Sequence, residues 1–450
     1  ARRLGRERAA ILFTVAVLLS FTNYIERSFR IRADTVAVVF AVAALWVLLS
    51  WGRRSLGIAA VGLLSAGAFL TTQKAVYVVI ALGLAVLAFG GTLSERIRRV
   101  AIYGAAAGAA LLLYAVAFGG TDFLRVLEMV FTSPLSVALD ADDFYSDLAV
   151  YVWQTLGRNW FAYALCAGGA LVAAARFRRG ADELRAALVF TVVITTFVFM
   201  HNQPWPYVFV MALPFLSLWA PEIPGLLARR AEWQEASALL LALAVLALGF
   251  GRNLAYLDHV NTAQRFVVRQ AESLLAPEDR YQDGLGMVPM RREAVESWWD
   301  AMNATLFLRA VRAGDRGEIH RILENHPKLW IVNYRVLNLM PVLEPYLRRS
   351  YVLVSPNIFL SGAIVRSGGE TTFANHWPGA YELYAPDGKP AAIPFEIDGR
   401  AVAGPTMIPV GSHRIRTGAP GAYALLPAGL RVPPRDEMGP PIDLFPRVYD

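Results

Sequence analysis

Four fixed positive charges fall in two short loops that flank apolar runs: Arg27, Arg30 and Arg32 in 24–34 (YIERSFRIRAD), and Lys74 in 71–74 (TTQK). At depth in a bilayer an unpaired charge costs about 2.5–3.5 kcal/mol on insertion scales, so such groups gather where an anionic partner offsets that cost. Arginine presents a planar fork of donors and lysine a compact point charge, and both suit a phosphate. The bland alternative is snorkelling to lipid headgroups, which would make the same side chains anchors. Asp34 opens the following apolar run and can serve there as a helix N-cap, as the salt-bridge partner of a nearby arginine, or as a general base.

Three further groups carry potential chemistry. His201, Asn202 and Gln203, in the loop HNQPWP, could hydrogen-bond a sugar or a pyrophosphate-like group, or simply form a polar connection. Arg252, at the end of an apolar run, reads equally as a phosphate ligand or a snorkelling anchor. Asp140, Asp142 and Asp143 (LDADDFY) present closely spaced hard oxygens that suit a divalent cation, or else a solvated turn. No other cofactor is indicated. Farther along, His320 and Glu324 lie four apart, the spacing of a surface pair on a helix, and with His326 and Asp283 they show no metal-ligand spacing. Nucleophile-elbow, Walker and Rossmann patterns do not occur.

The elements that must position these groups are apolar. Hydrophobic residues make up 56% of the 450 and charged residues 18%, against the ~45–50% and ~25% of a soluble chain. The excess lies before Gly251, in nine stretches: 9–24, 35–51, 56–71, 74–91, 99–118, 159–176, 186–200, 206–220 and 236–251. Each approaches the ~17–25 residues of a spanning helix. With the N-terminus in the cytoplasm, the basic segments RRLGRER, GRRS, SERIRR, RFRRGADELR and LLARRAEWQE all fall on the inner side, as the positive-inside bias requires. The arginines of 24–34 break that bias, which argues for function. Basic residues at span ends do not make the continuous stripe of a nucleic-acid binder. Segment 119–158 reads as amphipathic helices at the outer interface, and Trp153, Trp160 and Trp205 fit an aromatic belt. Cys166 stands alone, so no intrachain disulfide forms.

These observations divide the chain into a polytopic all-α helical region, 1–251, and an outward soluble α/β domain with a β-rich end, 252–450. In the latter, HVNTAQRFVVRQAESLL predicts an amphipathic helix. RGEIHRILENHPKLWIVNYRVLNLM predicts helix, strand and helix, and the stretch after Ser350 predicts strands, with Asp387-Gly388 and Asp398-Gly399 as turns.

The runs 26–50 (ERSFRIRADTVAVVFAVAALWVLLS) and 56–79 (LGIAAVGLLSAGAFLTTQKAVYVV) resemble the middle helices of polytopic GT-C glycosyltransferases of the protein O-mannosyltransferase and lipid A aminoarabinose transferase type. The matching motifs are Arg32-Ala33-Asp34 and Thr71-Thr72-Gln73-Lys74, and 199–220 (FMHNQPWPYVFVMALPFLSLWA) resembles a later outward loop and Pro-broken helix. The resemblance covers roughly the first 250 residues. It implies a membrane transferase using a polyprenyl-phosphate-linked sugar, with a lipid, glycan or protein acceptor on the non-cytoplasmic face, in a cell inner membrane with the last domain on the periplasmic side. It also implies a catalytic carboxylate in an earlier outward loop. No such loop precedes Arg32-Ala33-Asp34 here, so that loop is expected upstream of Ala1. Cations on the departing phosphate are the implied role of Lys74 and Arg32, then Arg30 and Arg27. A transporter or lipid flippase, or a non-catalytic scaffold, remains the alternative class; inverted repeats and midplane-broken helices would favour transport.

Overall fold

The computed structural model describes residues 8–28, 32–132, 149–201, 205–227, 231–254, 261–295, 299, 301–433, 442 and 444. Two compact units emerge: Ala1–Asp140 with Ser146–Asp258, and His259–Val448. The helical unit thus runs a few residues beyond the boundary expected at 251.

Apolar runs become helices in the first unit: α1 Arg8–Ser20, α2 Thr22–Ser28, α3 Ala33–Trp51, α4 Ser55–Thr71, α5 Val76–Ala88, α6 Leu93–Gly119, α7 Phe123–Leu127, α8 Ala149–Arg158, α9 Trp160–Ala175 and α10 Asp182–Phe199. Helix α6 starts at a capping box in which the Thr92 hydroxyl accepts from the Glu95 N–H at 3.3 Å and Glu95 accepts from the Thr92 N–H at 2.9 Å. Those two bonds satisfy donors that a helix start leaves open. Among the described residues, three helical stretches are long and apolar enough to cross a membrane, Ala33–Trp51, Leu93–Thr132 and Glu235–Asn253, and Arg8–Ser20, Ser55–Thr71, Gln73–Ala88 and Trp160–Ala175 are shorter apolar helices.

The stretch 206–220 corrects the sequence expectation of a continuous span. It is a series of short pieces: 3-10 turns Val208–Met211 and Ala220–Glu222, with α11 Leu213–Ser217 between them and α12 Pro224–Leu227 after. Pro206, Pro214, Pro221 and Pro224 each remove a backbone donor, so no run of helix outlasts them. The pieces are nonetheless core, with Val208, Phe209, Leu213 and Trp219 fully buried. The last helix, α13 Ala231–Asn253, follows.

Helices in this unit approach closely where a glycine leaves room. A Cβ on Gly169 of α9 would sit 1.9 Å from the Trp219 carbonyl oxygen, and one on Gly249 of α13 would sit 2.7 Å from the Ser20 Cα of α1. Both obstacles are backbone, which cannot rotate away. Trp219 is further fixed by its indole N–H, which donates to the Thr191 hydroxyl of α10 at 3.0 Å. Gly169→Ala is therefore expected to destabilise the helical unit by about 1–3 kcal/mol through forced separation of α9, read as a lower unfolding midpoint in detergent. An unchanged midpoint would mean that α9 lies farther from Trp219 than described here.

The second unit starts with α14 Thr262–Leu274, then β1 Arg280–Gln282, β2 Arg292–Glu293, α15 Ala301–Arg312, α16 Gly317–Glu324, β3 Pro327–Ile331, α17 Tyr334–Ser350, β4 Tyr351–Ser355 and β5 Ile358–Ser361. The strands form one sheet in the order β2-β1-β3-β5-β4, parallel across β2, β1 and β3 and antiparallel beyond. Alternation along β3 splits its side chains: Leu329 and Ile331 pack against Val267, Ala271 and Leu274 of α14. Trp330 packs on the other face with Phe307, Ile322 and Leu339 of α15, α16 and α17. The remaining strands are β6 Ala363–Arg366, β7 Glu370–Asn375, β8 Gly379–Tyr384, β9 Phe395–Ile397, β10 Arg400–Val402, β11 Thr406–Ile408, β12 Gly411–Arg416 and β13 Ala422–Pro427. They form two four-stranded sheets, β10-β9-β12-β7 and β11-β8-β13-β6. Val365, Phe373, Tyr381, Ile415 and Leu425 fill one core drawn from both sheets, as period-2 burial allows. Asp398 and Gly399 both take positive φ, 50° and 79°, the geometry a two-residue hairpin turn selects for Asp-Gly.

Candidate functional site

In the helical unit the start of α3, the end of α4 and the irregular stretch after α10 supply the side chains of interest. The Arg32 guanidinium donates to Asp34 Oδ2 through Nε and Nη2, each at 3.3 Å, and the Thr72 hydroxyl reaches Asp34 Oδ1 at 3.4 Å. Asp34 is buried. The N-cap position of α3 belongs to Arg32 and carries no side-chain cap, so of the readings offered for Asp34 the salt bridge is the one observed. Its lone pairs are engaged by Arg32 and Thr72.

Lys74 sits in the turn between α4 and α5. Its ammonium donates to the Tyr207 hydroxyl at 2.9 Å and lies 4.2 Å from the centre of the Tyr207 ring. The Arg32 guanidinium lies 3.8 Å from the same ring centre. Two cations from different helices therefore converge on one half-buried tyrosine, and an aromatic face attracts both. Among the described residues no carboxylate comes within ion-pair reach of Lys74, and Asp34 serves Arg32. Among the described residues the cluster thus holds two cations to one carboxylate, a balance that suits an anion.

Tyr207 is held from behind. The Pro206 carbonyl accepts from Asn23 Nδ2 at 3.0 Å, and Asn23 Oδ1 accepts from the Thr155 hydroxyl at 3.0 Å. Asn159 then ties Thr155 to α2, donating to the Thr155 carbonyl and accepting from the Thr22 N–H, both at 3.0 Å. All four side chains or their partners are buried, so the segment bearing Tyr207 is fixed by satisfied polar contacts. Three residues after Lys74, the Tyr77 hydroxyl meets His201 Nδ1 at 3.2 Å, and the Tyr77 ring stacks on Phe197.

The Arg252 guanidinium lies 4.7 Å from the Phe161 ring centre. The side chain of Arg27 lies outside the described residues, as do Arg30, Asn202, Gln203, Asp140, Asp142 and Asp143 in full. No group of three or more His, Cys, Asp or Glu side chains that could hold a metal occurs among the described residues. Sequence reasoning missed Tyr207. Its signal was only an aromatic after Pro206 in a loop that returns toward the basic face.

The second unit holds three charged arrangements. Asp279 and Lys328 form a buried ion pair. Asp283 and Glu293 meet at one loop, discussed below. A shallow groove on β7, β9 and β12 is lined by Glu370, Glu396, Asp398, Arg414 and Arg416, whose charges pair with one another, as in Arg416–Glu370 at 2.7 Å. His320 and Glu324 lie on α16. His326 Nδ1 instead meets the His376 carbonyl oxygen at 2.7 Å, and burial followed by the charges of His326 and His320 pushes the His376 imidazole below its usual range.

Comparison with known proteins touches the second unit. A family model described as a domain of unknown function (DUF7056) matches 308–360, from within α15 to β5. A second domain of unknown function (DUF7055) matches 364–427, the strands β6 to β13. No curated protein and no solved structure matches the chain.

Proposed function

We propose that this chain is the membrane-embedded core of a GT-C-like glycosyltransferase that takes a sugar from a polyprenyl-phosphate carrier and passes it to a lipid, glycan or protein acceptor outside the cytoplasm. The observation that carries this reading is the convergence of Arg32 and Lys74 on Tyr207, with a carboxylate, among the described residues, in ion-pair reach of Arg32 alone. Charge that develops on a departing phosphate is stabilised by cations already fixed in place. A buried asparagine and threonine network behind Pro206 supplies that fixation. Support for a bilayer setting comes from the exposed Leu113, Leu171, Leu240, Leu243 and Phe250, since an apolar exterior on apolar helices is the pattern lipid requires. In this reading the basic segments other than 24–34 face the cytoplasm of an inner membrane and the second unit lies on the periplasmic side, where it binds the acceptor.

The reading is tested by binding. Purified chain in nanodiscs is titrated with a polyprenyl phosphate and, separately, with the same polyprenol lacking the phosphate. The phosphate form is expected to bind at least about tenfold more tightly, one charge-assisted hydrogen bond's worth. Equal affinity for the two would remove the phosphate from the site and with it the donor assignment.

A further inference from the structure

Two carboxyl groups of the second unit meet at one loop. Asp283 follows β1 directly and is fully buried. Its Oδ1 accepts from the N–H groups of Leu285 at 2.6 Å and Gly286 at 2.8 Å, and its Oδ2 from that of Met287 at 2.9 Å. Glu293 closes β2, the parallel neighbour of β1. Its Oε1 accepts from the N–H groups of Gly284 at 2.9 Å and Asp283 at 3.3 Å. Five consecutive backbone donors, 283 to 287, therefore end on two carboxyl groups. Gly284 and Gly286 make the tight path possible at φ 67° and 68°, a region closed to most side chains.

The charge balance of this arrangement is the informative part. Two carboxylates withdrawn from water at one loop cannot both ionise cheaply. Asp283 accepts three N–H donors and Glu293 two, so the anion is favoured on Asp283 and Glu293 is the easier of the two to protonate. Burial first, then the charge of Asp283, pushes the Glu293 carboxyl up to about 8, and burial raises Asp283 as well. Among the described residues no cation forms an ion pair with either carboxyl group. Tyr281 accepts from the Val288 N–H at 3.0 Å through its hydroxyl, and Arg335 spends Nη1 on the Gly284 carbonyl at 3.1 Å. Trp299 and Asn333 hold the outside of the loop through the carbonyls of Gly284 and Asp283.

We propose that Asp283 and Glu293 hold one proton between them, and that this shared proton latches the 283–287 loop over the carboxyl ends of β1 and β2. That edge, beside the start of α17, is where open sheets with parallel strands place ligand sites, so the latch governs exposure of the backbone there. It is independent of the phosphate site in the helical unit.

Opening the loop returns Glu293 to water, where its ordinary value is 4.5. The closed loop thus binds a proton that the open loop sheds between that value and about 8. Opening is hardest at the acid end, becomes easier as pH rises through this window, and levels off above it. For one linked proton the ceiling is about tenfold per pH unit.

Hydrogen exchange of the full chain in nanodiscs, read by mass spectrometry over 283–287 from pH 5 to 9 and corrected for intrinsic rates, tests this. Protection is expected to fall by more than about tenfold between pH 5.5 and 8 and then flatten, while β3 stays constant. Glu293→Gln keeps an acceptor for the two backbone N–H groups and puts an amide donor where the proton was, so its protection should fall less steeply with pH than the wild type's, with Asp283 alone left to titrate. Wild-type protection that does not change with pH overturns the proposal, as does a variant with the wild-type slope. Should the variant fail to fold, the wild-type series alone decides.

Discussion

Replacing Lys74 with methionine is expected to weaken binding of a polyprenyl phosphate by about 10- to 100-fold, since a charge-assisted hydrogen bond contributes roughly 1.5–3 kcal/mol and 1.4 kcal/mol is tenfold. Folding should be little affected. The ammonium's partners are the hydroxyl and ring of one half-buried tyrosine, and methionine retains most of the apolar stem. Arg32 is the less clean probe, because its removal would leave the buried Asp34 carboxylate with Thr72 as its partner. Tyr207→Phe separates the roles further. It keeps the ring under both cations and frees the ammonium from its resting acceptor, so phosphate affinity should stay within about threefold of wild type, a shift below one neutral hydrogen bond. If Lys74→Met binds the phosphate as well as wild type does, Lys74 does not face the ligand and the donor site has to be sought elsewhere.

Parts of this architecture are legible in the residues themselves. Apolar runs locate α1, α3, α4, α6 and α13 because a helix needs only its own backbone bonds and an apolar exterior in lipid. The strand-and-turn stretch after Ser350 is legible through alternation and through Asp398-Gly399, where chemistry and φ agree. Arg32 and Lys74 stand out because, in the orientation expected from the sequence, they break a charge bias, which is a local property of a loop. Tyr207 does not stand out, since its role depends on cations more than 130 positions away, and a tyrosine beside Trp205 looks like an interfacial anchor. The same limit hid Asp283 and Glu293. Ten residues separate them in sequence, and only the parallel pairing of Tyr281 with Glu293 brings their ends together. Asp34 was legible as a polar group with several possible partners, and geometry chose among them.

A buried ion pair joins three segments of the second unit, and Lys328→Met is expected to cost it about 3–5 kcal/mol, the usual penalty for leaving one member of a buried pair uncompensated. Lys328 Nζ donates to Asp279 Oδ2 at 2.7 Å, and both side chains are under a tenth exposed, at 8% and 6%. Asp279 also accepts from the Ala276 N–H at 2.8 Å and the Trp377 indole N–H at 3.0 Å, and the ammonium lies 4.7 Å from the Trp377 ring centre. Three segments meet there: the approach to β1, the central strand β3, and the turn before β8. Arg416–Glu370 is a useful contrast. Its distance is the same, but the side chains are 61% and 33% exposed, and exposed pairs contribute about 0–1 kcal/mol. Lys328→Met with Asp279→Leu should recover much of the single-variant loss, because no charge is then stranded, although Trp377 and Ala276 lose an acceptor. Denaturant unfolding of the single and the double variant measures both quantities. A Lys328→Met loss below about 1 kcal/mol would show that water reaches Asp279, and that the three segments are held together by their apolar contacts alone.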